Sequence, residues 1–407
     1  MTTPTFGVSI QPTNDEAQAP IWSDFSVVAM IGTAPDADAT VYPLDTPVLV
    51  YTNETEKLAK LGLDGSLLPA LMFMKAQLGG GAAKVVVLRI ADGGTPLETV
   101  NNAVGDGIST GINALLDAGP LLGVTPRIVV APGLCGIRAS LGEANALAAA
   151  LPPVLDKLLA HAIVDTPGVD EANDLDWRES HSHMRLIPVT PAVIRTDGGE
   201  QITVPASAGI AGLAVYVDNL NGGLPFRSWA NRPIQGMEKL TRTIRFDFFD
   251  GANEGQTLLA NNIGIIVRSE RGVDGQGQGG FIYVGTDNLS DDPLWQFYNV
   301  SRGRDYINNM VRNTVSTYLG RYSLTGQAVQ AILTTIRMGL DELIAQNMIL
   351  DAEVSFNAVD NSVAELRRGH VTVQFRGEET PVIRRVTVKS GRMVEAVNDL
   401  ISDLAAL

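Results

Sequence analysis

The sequence is poor in cysteine, and this scarcity excludes two kinds of site. Its one cysteine, Cys135, leaves nothing to pair with in an intrachain disulfide and cannot form a cysteine cluster for a metal ion. Cys135 lies in a Pro-Gly-x-Cys-Gly segment after the apolar run RIVVA. A nucleophilic thiol there would need a base and an orienting group that no motif supplies. We therefore expect a loop or core thiol.

Charged residues are also scarce, at 18% of the chain, and positive charge is the scarcer sign. Residues 1–225 hold 11 Lys and Arg against 24 Asp and Glu, whereas residues 226–407 hold 19 against 21. An acidic chain argues against direct nucleic-acid binding, which needs a positive field. In the second half 17 of the 19 basic residues are arginines, which favour bidentate pairing with carboxylates. Such pairs suit a repeated protein interface.

Long apolar runs are missing as well. The most apolar stretch, ALAAALPPVLDKLLAHAIV, is broken by Pro152 and Pro153 and carries Asp156 and Lys157, so we expect no membrane insertion. The first 20 residues show no basic region followed by an apolar one, so we expect no secretory signal. These features predict a protein made in the cytoplasm.

The segment from Ser26 to Val204 shows an α/β pattern. Apolar, β-branched runs alternate with helical stretches, as expected for a mostly parallel sheet covered by helices on both faces. The runs are SVVAMIG, VVVLRI, RIVVAP, HAIVD and MRLIPV, and the helices are predicted over 54–61, 66–78 and 139–160. The segment IRTDGGEQITVP predicts a hairpin.

From Ala206 onward the pattern becomes α+β. It predicts helices over 206–219, 302–319 and 325–348, strands around 241–249 and 262–269 and at FIYVG, then strands in HVTVQFRG and PVIRRVTVKSG and a final helix. Apolar residues of the 325–348 helix recur at helical spacing and predict a core-facing stripe rather than a partner groove. They are Val329, Ile332, Leu333, Ile336, Leu340, Leu343 and Ile344.

Several segments invite an enzymatic interpretation. His181 and His183 share a face if extended, so they could bind a metal with a nearby carboxylate, but a solvated polar loop is the preferred interpretation. Asp165 ends a strand where a catalytic acid could lie, although a structural turn is favoured. The glycine-rich segments 105–111 and 275–280 lack the sequence context of phosphate loops. We therefore predict no catalytic residue, no metal and no cofactor.

Four segments between Pro205 and Arg312 together resemble the tail-sheath proteins of contractile bacteriophages and related contractile injection particles. They are a small-residue helix after Pro-x-Ser, a Trp-x-Asn-x-Pro-Ile-x-Gly turn (Trp229, Asn231, Pro233, Gly236), Asn262 before the strand IGIIV, and a helix with Arg-x-x-Asp-Tyr-Ile (Arg302, Asp305). The first quarter resembles the family too, from the arm FGVSIQP to VVVLRI.

The resemblance implies a multidomain fold that combines α/β and α+β parts. An inner α+β domain would be built from both chain ends, with an outer α/β domain inserted into it. We predict a linking arm over residues 1–22, the inserted outer domain over 23–205 and the inner sheath domain, with a C-terminal linking strand, over 206–407.

The resemblance also implies a function and a set of partners. A sheath subunit forms stacked hexameric rings around an inner tail-tube protein, meets baseplate and tail-terminator proteins, and contracts to drive the tube through the host cell envelope. Strand exchange between subunits would use Phe6, Gly7, Val8, Ile10, Val382, Ile383, Val386 and Val388, and possible tube-facing residues are Arg337, Lys389 and Arg392. The expected location is the virion tail, after assembly in the host bacterial cytoplasm.

A second class of function stays open from the residues alone. A cytoplasmic α/β enzyme acting on a small ligand would use Asp165, or His181 and His183. A closed pocket in a monomer would favour this enzyme, and self-association into rings or tubes would favour the sheath.

Overall fold

The computed structural model of the protein describes residues 19–269 and 280–405. The strands are β1 (Val28–Thr33), β2 (Pro47–Tyr51), β3 (Lys84–Ile90), β4 (Ile128–Val130), β5 (His161–Asp165), β6 (Leu186–Thr190), β7 (Val193–Asp197), β8 (Glu200–Val204), β9 (Arg232–Ile234), β10 (Lys239–Leu240), β11 (Gly264–Arg268), β12 (Phe281–Val284), β13 (Ile349–Ser355) and β14 (Gln374–Glu379). The helices are α1 (Thr55–Ala59), α2 (Leu67–Ala76), α3 (Pro96–Val104), α4 (Ala118–Leu122), α5 (Ala146–Leu158), α6 (Glu171–Glu179), α7 (Ala206–Leu220), α8 (Glu254–Ala260), α9 (Tyr298–Ser316), α10 (Gly326–Ala345), α11 (Val363–Arg367) and α12 (Glu395–Ala405), with a 3-10 helix at Gly111–Asp117.

A nine-stranded sheet in the order β2-β3-β1-β4-β5-β6-β11-β12-β9 forms the centre of the molecule. Strands β3, β1, β4, β5, β6 and β11 run parallel to their neighbours in this order, while β2, β12 and β9 pair antiparallel at the two ends. The predicted mixture of α/β and α+β structure, with a mostly parallel sheet, is therefore confirmed.

Both faces of this sheet are buried, which explains the continuous apolar runs in its strands. On β1, Val28 and Met30 pack into one cluster with helices α2 and α7, whereas Ala29 and Ile31 pack into a second cluster with α3 and α5. Successive side chains of a strand point to opposite faces, so a strand covered on both sides needs apolar residues at every position.

Short polar residues set where several helices begin. Helix α5 starts at Ala146 because the Asn145 side chain accepts a hydrogen bond from the Ala148 amide at 2.7 Å. The helix predicted from residue 139 therefore starts later, and Gly142 before it has a left-handed backbone with φ of +79°. Within the described residues, no helix has both the length and the hydrophobicity needed to cross a bilayer.

The predicted boundary at residue 205 does not interrupt the sheet. Strands β11, β12 and β9 follow the boundary in sequence, yet they extend the sheet from β6. Helix α7 begins directly after the boundary and packs with α2 on the same face. The division into an inserted outer domain and an inner domain stays a prediction, but both parts share one sheet.

A third apolar cluster joins α9, α10 and β13. Its members include Ile307 of α9 and Ile336, Leu340 and Leu343 of α10, all nearly inaccessible. The core-facing part of the predicted α10 stripe is therefore confirmed. Beside this cluster, β13 and β14 form a separate two-stranded antiparallel sheet, and β10, β7 and β8 form a three-stranded one.

The prediction of a strand around residues 241–249 is wrong. Beyond β10 this segment forms bends and loop, in which the Asp247 carboxylate accepts a hydrogen bond from the Phe249 amide at 2.7 Å. Such local side-chain bonds compete with the ladder of a strand. As a result Phe248 and Phe249 are exposed, although their aromatic character favours strands.

Candidate subunit interface

Trp229, the first residue of the predicted turn motif, is fully buried beside helix α9. Its ring stacks on Tyr298 with centroids 3.9 Å apart and planes at 16°. The guanidinium of Arg302 lies 5.1 Å from the tryptophan ring. The turn motif and the helix motif, 73 positions apart in the sequence, therefore form one packed unit.

Arg302 also forms a buried ion pair with Asp218 of α7. The two guanidinium nitrogens lie 2.6 and 3.2 Å from the two carboxylate oxygens, and both side chains are at most 1% exposed. Burial raises the pKa of the Asp218 carboxyl to about 6, while the charge of Arg302 opposes this shift. The pair ties α9 to the helix that covers the central sheet.

Asp305, one helical turn beyond Arg302, ties α9 to the sheet itself. Its carboxylate pairs with Arg185, which immediately precedes β6, and one of these hydrogen bonds measures 3.1 Å. The imidazole of His161 on β5 lies 3.6 Å from the same carboxylate. Burial, followed by the charges of Arg185 and Arg302, holds the pKa of His161 well below 6.5. The Arg-x-x-Asp motif is therefore an intrachain clamp.

The other motif residues take special backbone positions. Asn231, Gly236 and Asn262 have left-handed backbones, with φ of 56°, 70° and 66°. A Cβ atom on Gly236 would lie 2.6 Å from the Cβ of Ala76, so the site also needs the space that glycine leaves. Pro233 lies in β9, an edge strand, where its missing amide hydrogen costs no ladder bond on the open side.

The candidate enzymatic residues have structural partners instead. The Asp165 carboxylate accepts hydrogen bonds from the Gly133 amide at 3.0 Å and from the Ser207 amide and hydroxyl at 2.9 and 2.5 Å. Burial raises its pKa, and these hydrogen bonds oppose the shift. Asp165 thus holds the start of α7 against a loop, as the favoured turn interpretation predicts.

The two histidines have separate partners within the protein. His181 is buried, with the Trp177 carbonyl 2.8 Å from Nδ1 and the Asn145 amide donating to Nε2 at 3.2 Å, so the predicted solvated loop is wrong for this residue. His183 is half-buried, 4.0 Å from Asp156. Among the described residues, no group of three or more potential metal ligands occurs.

Cys135 is fully buried, as expected for a core thiol. Burial and then the charge of Asp165 raise the pKa of its thiol. Its backbone carbonyl accepts a hydrogen bond from the Trp177 indole at 2.9 Å. The thiol is thus kept in its neutral, unreactive form.

The predicted C-terminal exchange segment, 381–389, is not a strand within the single chain. Ile383, Val386 and Val388 are 86%, 71% and 81% exposed, and Val382 is half-buried. Arg384 anchors the segment to its own subunit through a 2.8 Å ion pair with the buried Asp287. The predicted N-terminal exchange residues Phe6, Gly7, Val8 and Ile10 lie outside the described residues.

The predicted tube-facing residues lie on the surface, and no contact between them is seen among the described residues. Arg337 of α10 is exposed and pairs with Asp341 one turn later at 3.8 Å. Lys389 and Arg392 are exposed in the extended segment before α12. Their role stays a prediction.

Sequence reasoning missed an apolar stripe on α12. Four residues spaced i, i+3, i+4 and i+7 line one side of this helix, and each is between 54% and 60% exposed. They are Val397, Leu400, Ile401 and Leu404. The spacing in the sequence was a sufficient signal, because a helix with such a stripe normally buries it.

Comparison with known proteins agrees with these features. Residues 26–90 match the family model described as tail sheath protein Gp18 domain III, N-terminal region. The tail sheath protein of Escherichia phage P2 is 25% identical over 396 residues, which is 94% of each chain.

Solved structures show the same fold. The sheath complex of an extracellular contractile injection system, PVC, in its contracted state has a TM-score of 0.69 at 15% identity and covers 97% of this chain and 99% of its own. A chain of the anti-feeding prophage baseplate has a TM-score of 0.64 at 16% identity, and the match covers 96% of this chain and 100% of the baseplate chain. The family model, the relatives and the fold together confirm the resemblance to contractile-tail sheath proteins that the motifs predicted, and they support a structural sheath subunit.

Proposed function

We propose that copies of this chain polymerise as stacked hexameric rings around an inner tail tube, and that contraction of this sheath drives the tube through the host cell envelope. The phage P2 relative is a tail sheath protein, and the anti-feeding prophage baseplate was solved with six-fold symmetry. These two comparisons support a sheath with six copies per ring. The chain's own structure supports it through one observation at the C-terminus.

That observation is the exposure of the last 25 described residues, 381–405. From Pro381 the chain runs extended to α12, and apolar side chains along it are exposed. On an extended strand Val386 and Val388 would share one face, whereas Thr387 would point to the other. A row of apolar side chains on one face of an unpaired segment is the pattern of a strand that is completed by another molecule.

The two-stranded sheet β13–β14 is a suitable acceptor for such strands. A two-stranded sheet is marginal alone, and within the described residues neither strand has a partner on its outer edge. Arg304 of α9 holds the sheet to the body through Glu379, at 2.5 and 2.9 Å. We infer that the C-terminal segment of one neighbour and the N-terminal arm of another add to this sheet.

Backbone pairing alone would not hold this contact. A hydrogen bond nets about 0.5–1.5 kcal/mol, whereas ordering one residue costs about 1–2 kcal/mol. The apolar side chains of the exchanged strand must therefore be buried as well. Loops on either side of an added strand can then hinge without breaking the link, which allows subunits to move as nearly rigid bodies.

The remaining partners follow from the same proposal. The sheath would end at baseplate and tail-terminator proteins, and the tube would lie against Arg337, Lys389 and Arg392. The protein would be assembled in the host bacterial cytoplasm and act in the virion tail. We assign it no catalytic step, because Asp165 and His181 are occupied by structural hydrogen bonds.

The test is electron microscopy of the purified full chain, with and without residues 1–12. Tubes or stacked rings from the full chain, lost on truncation, are the expected result. Circular dichroism and thermal unfolding of the truncated chain control for folding. Monomers from both chains across low and high salt, and also in the presence of tail tubes, would contradict the proposal.

A further inference from the structure

An open apolar groove lies beside the third cluster, where α10 meets α11. Its volume is about 640 Å³. Val329 and Leu333, one turn apart on α10, form one wall, and Val363 and Leu366 of α11 form the other. Val329 and Leu333 are only half-buried, so the predicted α10 stripe is divided between core at one end and this groove at the other.

The groove has the geometry that receives an amphipathic helix. Its two walls are themselves helix faces, with residues at i, i+4 on α10 and i, i+3 on α11. Helix-in-groove recognition uses anchors at i, i+3, i+4 and i+7 of the bound helix. The stripe of α12, defined above by Val397, Leu400, Ile401 and Leu404, has this spacing.

Charge also favours this pairing. Helix α12 carries Glu395, Asp399 and Asp403 and no basic residue within Glu395–Ala405. Arg367 lines the groove, and none of the ten residues that line it is acidic. A helix with a net charge of −3 is therefore attracted to the groove rather than repelled.

Among the described residues neither surface is covered, which points to a second copy as the occupant. No residue of α12 is buried, and an isolated helix of this length is marginal in water. Arg384, the anchor on the same subunit, is 13 positions before Val397, a span of up to roughly 45 Å when extended. The linking segment is therefore long enough to carry α12 to a neighbouring molecule.

We propose that α12 of one subunit docks its apolar stripe into the α10–α11 groove of a second copy of this chain. The contact rests on the proposed sheath function, because it adds a helix contact to the strand exchange between the same neighbours. It gives each link two parts, an added strand and a docked helix, on either side of the short segment around Arg392.

Disulfide trapping between two full-length chains tests this contact. One chain carries Leu333→Cys in the groove and the other carries Leu400→Cys on the stripe. The native Cys135 is fully buried, so it does not compete under mild oxidation. Since each chain has one exposed thiol, a disulfide between the two different chains, identified by mass spectrometry, reports the proposed contact.

The matched control replaces Leu400→Cys by Ser402→Cys, two positions later and on the side of α12 away from the stripe. We expect the Leu333→Cys and Leu400→Cys mixture to give about tenfold more mixed dimer than the control mixture, because docking raises the effective thiol concentration. Equal yields from the two mixtures would overturn the proposal.

Three further results separate the outcomes. Rings or tubes without the mixed disulfide would overturn the groove contact and leave the sheath function standing, whereas absence of both would overturn both. A chain with both substitutions that forms only an intramolecular disulfide at high dilution and in assembled particles would place α12 in its own groove, and would also overturn the proposal.

Discussion

Helix α9 and the C-terminal extension, residues 381–405, both place side chains in surroundings opposite to those that their polarity favours, since charged groups are buried in the first and apolar groups are exposed in the second. On α9, Arg302 and Asp305 are nearly inaccessible and pair with groups on α7 and beside β6. In the extension, Ile383 and Val388 are more than 80% exposed. The first region is completed by its own chain, whereas the second exposes apolar side chains that, in our proposal, a neighbouring subunit covers.

Under the proposed function, the first region keeps the shape of the subunit and the second links it to its neighbours. Buried ion pairs fix α9 against the sheet, and their loss would leave an unpaired charge in the interior. The extension is attached to the body through Arg384 and Asp287 alone among its described ion pairs. Changes in the two regions should therefore separate folding from assembly.

The largest effect is expected on assembly from Val386→Asp together with Val388→Asp. Two charges on the apolar face of the exchanged strand would abolish rings and tubes, because that face must be buried on pairing. Unfolding of the monomer should change by less than about 0.5 kcal/mol, since both side chains are exposed. Electron microscopy and thermal unfolding measure the two quantities.

Thr387→Asp is the matched control for these substitutions, since it adds charge to the opposite face of the same strand. It should retain assembly at moderate salt. If Thr387→Asp and the double variant impair assembly equally, the strand does not bury one particular face. The proposed role of the extension as an exchanged strand would then be wrong.

The next effect is expected on folding from Arg302→Met. The substitution keeps the bulk of the side chain but leaves Asp218 buried without its partner, which costs about 3–5 kcal/mol. Denaturant unfolding of the monomer measures this loss. Arg337→Met removes an exposed pair on α10 and should cost less than about 0.5 kcal/mol. Similar losses for both variants would show that α9 is not held by its buried pair.

A smaller effect on folding is expected from Gly236→Ala, at the close approach of the turn motif to Ala76. Its φ of +70° and the short distance to Ala76 both oppose a side chain. Gly222→Ala is a matched control with the same φ and open space around it. Both should lose about 1–2 kcal/mol for the backbone, and Gly236→Ala about 1–3 kcal/mol more for overpacking. Equal losses of unfolding free energy for the two variants would show that the turn moves away from Ala76 without an energetic cost.

The sequence predicted the body far better than the extension. The apolar runs at Val28 and Val85 lie in strands because both sheet faces are covered within the chain, so periodicity and environment agree. The partners of the motif residues could not be predicted, since Asp218 and Arg185 carry no local signal that they meet α9. The run at Val386 predicted a strand, yet a strand needs a neighbour, and the described residues do not supply one.

The smallest effect is expected on the pH dependence of folding, from His161→Gln in the α9 clamp. His161 lies between Asp305 and the guanidinium groups of Arg185 and Arg302, with His183 nearby, and its pKa is held well below 6.5 by burial and these charges. Below pH 6.5 the unfolded chain therefore binds a proton that the folded chain does not. Stability from this group is present above pH 6.5 and is lost as pH falls, by about 1.4 kcal/mol per unit.

The comparison between parent and variant isolates this group from the others. The raised pKa of Asp218 acts in the opposite direction as pH falls from about 6, but it is present in both chains and cancels in their difference. The unfolding free energy of the parent minus that of His161→Gln should therefore shrink between pH 7 and pH 5. A difference that stays constant over this range would mean that His161 takes up its proton in the folded clamp. The clamp would then tolerate a charge that its burial and the nearby guanidinium groups should exclude.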